Sequence, residues 1–159
     1  MLYKVERILC PTDFSEGSLQ ALSAATDIAT KLGAELSVIH VLPMLSALPT
    51  DPNFVFEVHQ HQDLLYEDME KRLYEMTRGS KEKGVQGRVF VEHGDAAGEI
   101  VRVAEEQGID LIVIATFGKT GWRRLAFGSV TEKVVRLAPC PVLVVRGIED
   151  RIRAEEAVA

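Results

Sequence analysis

Between Ala115 and Ser129 the chain reads ATFGKTGWRRLAFGS, which sets Gly118, Gly121 and Gly128 among the cations Lys119, Arg123 and Arg124. Glycine lets backbone N–H groups close on an anion, and a helix opening after this stretch would turn the positive end of its dipole to the same space. The chemistry supported is phosphate binding through backbone donors. A long surface loop with a capped helix would account for the glycines, but not for cations gathered in a chain of net charge −6. Gly118, Lys119 and Thr120 do not form a P-loop, because its first glycine would fall at Val113, inside an apolar strand. A second stretch, Pro11, Thr12, Asp13, Phe14 and Ser15, follows the first apolar segment. It reads as a turn in which Asp13 or Ser15 caps a helix, as a ligand contact, or as both.

The histidines offer less. His40 ends a strand and reads as a packed residue, and His93, beside Glu92 at another strand end, faces either a ligand or solvent. His59 and His61 precede an amphipathic helix with no cysteine or carboxylate at ligand spacing, so no metal site is expected. Trp122 reads as a loop anchor rather than a stacking platform. No nucleophile has a neighbouring base and no carboxylate pair closes a strand, so no catalytic residue is assigned and little or no turnover is expected.

The elements that must position these residues follow from periodicity. Ile8 to Cys10 is a strand, and Leu19, Leu22, Ala25, Ile28, Ala29 and Leu32 mark an amphipathic helix that Gly33 stops. Leu36 to Val41 is the second strand, followed by a crossover that Pro43, Pro49 and Pro52 make irregular. Leu65, Met69, Leu73 and Met76 then mark a helix ending near Gly84, and Val89 to Val91 is the third strand. Asp95 caps a helix carrying Ile100, Val103 and Ala104 that stops at Gly108, before a strand from Leu111 to Ala115. Ser129 and Glu132 fit a capping box for the last helix, and Pro141 to Val145 is the fifth strand. Strand and helix alternate, and the strands are continuous aliphatic runs. The fold class is therefore α/β, a doubly wound, five-stranded parallel sheet with helices on both faces. Ligands of such sheets bind outside the carboxyl ends of the strands, at the switch in strand order.

The composition agrees. At 159 residues, 47% hydrophobic and 26% charged, the chain predicts one globular domain over residues 1–147 with a charged tail at 148–159. No apolar run approaches the roughly 20 residues that span a bilayer, and Lys4, Glu6 and Arg7 interrupt any secretory signal, so a cytoplasmic location is expected. The acidic balance opposes nucleic acid and membrane surfaces as partners. Cys10 and Cys140 read as core thiols rather than a disulfide. The apolar fifth strand should form a sheet edge that recruits a second copy, giving a homodimer through Pro141 to Val145.

Three segments, ILCPTDFSE from Ile8, LSVIHV from Leu36 and APCPVLVV from Ala138, together with the glycine-rich loop, resemble the universal stress protein family over nearly the whole chain. The ATP-binding branch carries two glycines separated by two residues, then nine further residues before a third glycine, followed by serine or threonine. Ala115, Gly118, Gly128 and Ser129 occupy that register, with Ala115 replacing the first glycine. Its methyl either presses on the phosphates or is absorbed by the loop. The resemblance implies ATP as ligand, with or without Mg2+, and a regulatory role in the stress response. It implies Pro11, Thr12 and Asp13 at the adenosine, the Val41 backbone at the adenine, and Gly118, Gly128, Ser129 and Val130 at the phosphates. A slow ATPase and a nucleotide-free dimeric scaffold are the alternatives.

Overall fold

The computed structural model describes residues 3–44, 52–116 and 128–147, without the side chains of residues 52–61. In chain order the elements are β1 (Arg7–Pro11), α1 (Glu16–Leu32), β2 (Glu35–Leu42), α2 (Pro52–Met76), α3 (Arg78–Glu82), β3 (Val89–His93), α4 (Ala96–Glu106), β4 (Leu111–Ala115), α5 (Ser129–Leu137) and β5 (Val142–Val145). The strands pair in parallel in the order β3-β2-β1-β4-β5. Successive strand residues point to opposite faces, so each strand feeds two cores. Ile8 and Cys10 join Ala21, Leu22, Ala25 and Ala29 of α1 and Met69 and Leu73 of α2. Leu9 turns the other way, to Ile100, Val103 and Ala104 of α4 and Val134 of α5. Both faces are covered, and the result is the single-domain, doubly wound α/β fold that the alternating pattern predicts.

The local stop signals work as their chemistry requires. Gly33 adopts φ 66°, a left-handed conformation that glycine reaches without a Cβ clash, and its N–H bonds the Ala29 carbonyl. The Asp95 side chain caps α4 through the Gly98 N–H. At Gly87 a Cβ would collide with the Leu36 carbonyl, so only glycine lets the chain pass beside β2.

Several boundaries differ from the sequence expectation. Pro52 does not belong to an irregular crossover but is the first residue of α2, where a missing N–H is no loss. His59 and His61 consequently lie within the backbone of α2 rather than ahead of it. The helical run pauses at Thr77, whose hydroxyl donates to the Tyr74 carbonyl at 3.0 Å, and resumes as α3 up to Glu82, with Gly84 at φ 81° just beyond. β5 begins at Val142, because Pro141 has no N–H for the ladder, although its carbonyl still accepts from Ile112 at 3.0 Å. Both cysteines belong to the core, Cys10 fully buried and Cys140 half-buried against its α4 side. The predicted tail at 148–159 lies outside the described residues. No helix among the described residues is long and apolar enough to cross a membrane.

Candidate functional site

Strand order reverses between β1 and β4, so the chain leaves their carboxyl ends in opposite directions and a cleft opens between them. Its volume is about 170 Å³. On a measure by which one water takes about 10–15 Å³, that is room for a polyatomic ligand. Ile39, Val41 and Ile114 line it from the strands, Ala96 and Ile100 from α4, and Gly128, Ser129, Val130 and Thr131 from the start of α5. Pro11, Thr12 and Asp13 come from the β1 to α1 loop. The apolar lining continues the core between the sheet and α4 and α5, to which Ile39, Ile100 and Ile114 belong.

The β1 to α1 loop is tied at almost every residue. Thr12 donates its N–H to the Ile39 carbonyl at 2.8 Å, and its own carbonyl receives His40 Nδ1 at 2.8 Å. A carbonyl only accepts, so Nδ1 carries the proton. Thr12 Oγ1 accepts from the Phe14 N–H at 3.0 Å and meets Ser18 Oγ at 2.9 Å. Asp13 Oδ1 accepts from Ser15 N–H at 3.0 Å, and Ser15 in turn caps α1. Of the two candidates, Ser15 is the helix cap, and Asp13 closes the turn that precedes it. Phe14 sits at φ 62°, uncommon for a residue with a side chain. Its ring lies 4.6 Å from the His40 ring, and the Arg72 guanidinium of α2 stands 4.1 Å from the ring centre. Packing and hydrogen bonds together hold this backbone in place.

At the other wall the capping-box register is off by one. Gly128, not Ser129, is the N-cap of α5, at φ −68° and ψ 155°, with no side-chain cap bond. The Gly128 N–H donates to the Thr116 carbonyl at 2.8 Å, which fixes where the chain enters the helix. Ser129 becomes the first helical residue and is exposed. The first intrahelical bond runs from Glu132 N–H to the Gly128 carbonyl at 2.9 Å, so helix geometry gives Ser129, Val130 and Thr131 N–H no acceptor in a preceding turn. Such an end is an anion site in waiting. Beside the cleft Lys133 reaches Asp95 at 3.6 Å, linking α5 to α4.

Ala115 lines the cleft, but its methyl packs in the core on the α1 side of the sheet with Ala21, Leu22 and Val113. Burial pushes the Cys10 thiol, on the same side, up to about 12. Of the site residues named from the sequence, Pro11, Thr12, Asp13, Val41, Ala115, Gly128, Ser129 and Val130 surround one cleft. Gly118 lies outside the described residues, as do Lys119, Gly121, Trp122, Arg123 and Arg124. The sequence reading missed Ser18, Ile39, Ala96, Ile100, Ile114 and Thr131, and it took His40, which also lines the cleft, for a packed residue alone. Strand alternation could have found Ile39 two residues before Val41, and helical spacing Ala96 and Ile100 behind the Asp95 cap. His93 is exposed at the end of β3, where its ring stacks 6.4 Å from Tyr66. Among the described residues no group of three or more His, Cys, Asp or Glu could hold a metal ion.

An open cleft at the switch point of a doubly wound sheet, apolar along the strands and rich in backbone donors at one helix end, defines an α/β domain with a candidate small-ligand site. The chain belongs to the universal stress protein family, whose profile matches residues 4–146. It is 38% identical over 147 residues to universal stress protein MJ0531 of Methanocaldococcus jannaschii, covering 91% of this chain and 83% of that one. The solved structure of MJ0577, a universal stress protein of the same organism, superposes with a TM-score of 0.74 at 28% identity, covering 92% of this chain and 98% of that one. A universal stress protein in complex with cAMP shares the fold at a TM-score of 0.61 and 23% identity, covering 89% and 97%.

Proposed function

We propose that this protein is an ATP-binding regulatory member of the family, acting in the cytoplasm with little or no turnover. The observation that carries the reading is the convergence of Asp13, the Val41 strand end and the first turn of α5 on one cleft. An apolar slot between Ile39, Val41, Ala96 and Ile100 suits a flat base, with the Val41 backbone at its edge. Pro11, Thr12 and Asp13 then meet the sugar, and the phosphates run over Gly128, Ser129 and Val130, with Gly118 completing the loop by its place in the motif. Mg2+, if carried, enters with the phosphates. The fold holds an adenine nucleotide in the cAMP-bound relative, but the assignment to this chain rests on its own cleft.

Binding groups outnumber catalytic ones here, so hydrolysis should fall far below the enzyme median of about 10 per second. Nucleotide released by heating the purified protein and identified by mass tests the reading. Absence of any adenine nucleotide, together with no calorimetric binding of added ATP, would refute it and leave a nucleotide-free dimeric scaffold. The dimer itself rests on a separate observation: β5 is an edge strand, and Leu143 on it is 40% exposed. A second copy covering that edge would pair it and bury the leucine.

A further inference from the structure

We infer that Thr131 is a positioning residue that tunes the cleft to the number of phosphates on its ligand, an inference that rests on the nucleotide reading above. Thr131 lines the cleft and is only 4% exposed. Its hydroxyl donates to the Ala115 carbonyl at 2.8 Å, joining the first turn of α5 to the end of β4. Two consequences follow from that single bond. It holds the helix end so that the N–H groups of Ser129, Val130 and Thr131 stay aimed at the space where an anion sits. It also covers a carbonyl at the cleft whose negative end would otherwise repel the same anion. Removing the hydroxyl therefore does two things in one direction, loosening the donors and uncovering an acceptor, and both act on negative charge. A neutral nucleoside feels neither strongly. The Gly128 N–H to Thr116 carbonyl bond at 2.8 Å provides a second tie beside it, so the helix keeps its entry point when Thr131 is altered.

Charge dependence separates this role from a general contribution to folding. Calorimetric titration with adenosine, AMP, ADP and ATP is made on the parent protein, on Thr131→Val, which keeps the shape without the hydroxyl, and on Thr131→Ser, which keeps the hydroxyl. The valine variant should lose about tenfold or more in ATP affinity and less than about threefold for adenosine, with AMP and ADP between them in order. The serine variant should return ATP affinity to within about threefold of the parent. An equal loss for all four ligands overturns the inference, as does unchanged ATP affinity in Thr131→Val. If the valine variant fails to fold, Thr131→Ala is titrated against the serine variant under conditions where circular dichroism shows both folded, with the same two refuting results. A parent that binds none of the four ligands refutes the nucleotide reading itself, which is a different outcome from a parent that binds them and a valine variant that binds them equally well.

Discussion

Ala115→Gly restores the glycine of the ATP-binding motif and asks whether the methyl matters to the ligand. The intuitive expectation is tighter binding. The structure argues otherwise, because Ala115 is buried, 8% exposed, and belongs to the α1-side core, on the sheet face opposite Ile39 and Ile114. Removing one buried carbon loses about 0.8 kcal/mol. Glycine inside an element adds roughly 0.5–1 kcal/mol of backbone entropy. The sum is a destabilisation of about 1–2 kcal/mol, which for a domain of this length lowers the melting temperature by roughly 2–8 °C. ATP affinity should change by less than about twofold, since the backbone groups that face the cleft are unchanged. Thermal melting of the free protein and calorimetric titration of ATP, run on parent and variant together, read the two quantities separately. Tenfold tighter ATP binding with an unaltered melting temperature would refute the reasoning and place the methyl against the phosphates.

Other outcomes follow from the same geometry. Gly128→Val should fold, because φ −68° and ψ 155° suit any residue, but ATP should bind about tenfold or more weakly while adenosine changes little, as titration would show. Leu143→Glu on β5 should convert the proposed dimer to a monomer by light scattering at micromolar concentration, and an unchanged mass would place the interface elsewhere. Iodoacetamide should label Cys140 slowly in the native protein, since burial raises its thiol but leaves it half-accessible, and Cys10 only after unfolding, since it is fully buried and burial pushes its thiol up to about 12. Mass mapping of the labelled peptides distinguishes the two.

Strands read directly from the sequence because buried parallel strands need uninterrupted aliphatic runs, and Leu111 to Ala115 is reproduced residue for residue. Helix stops at Gly33 and Gly108 were legible for an equally local reason, a left-handed conformation that glycine adopts without strain. Proline was misread at Pro52 because its missing N–H breaks a helix interior but suits a first turn, and only the position of the helix decides which applies. Ser129 was misplaced as a cap because the bond that sets the register, Gly128 to Thr116, is not a feature of the capping-box pattern. Asp13 and Gly128 could be marked by their loops, and the family resemblance adds Val41. Ala96 and Ile100 could be placed on one face of their helix by spacing but not assigned to the cleft, because an apolar residue that lines a cleft has the same sequence signature as one that fills a core.

The hydrogen bond that joins Gly128 to Thr116 has a consequence for how such a protein can diversify. Thr116 is itself anchored, its N–H meeting the Val145 carbonyl at 3.0 Å, so both junctions of residues 117–127 belong to the rigid scaffold. The number of residues between two fixed junctions can change without disturbing the sheet, because doubling the length of a connection costs only about 0.6 kcal/mol of closure entropy. The side of the cleft formed by strand ends has no such freedom, since Ile39 and Ile114 are held in the core itself. The wall formed by strand ends is thus inherited with the fold, while changes in the length of chain between Thr116 and Gly128 can be taken up at little cost to the sheet that carries it.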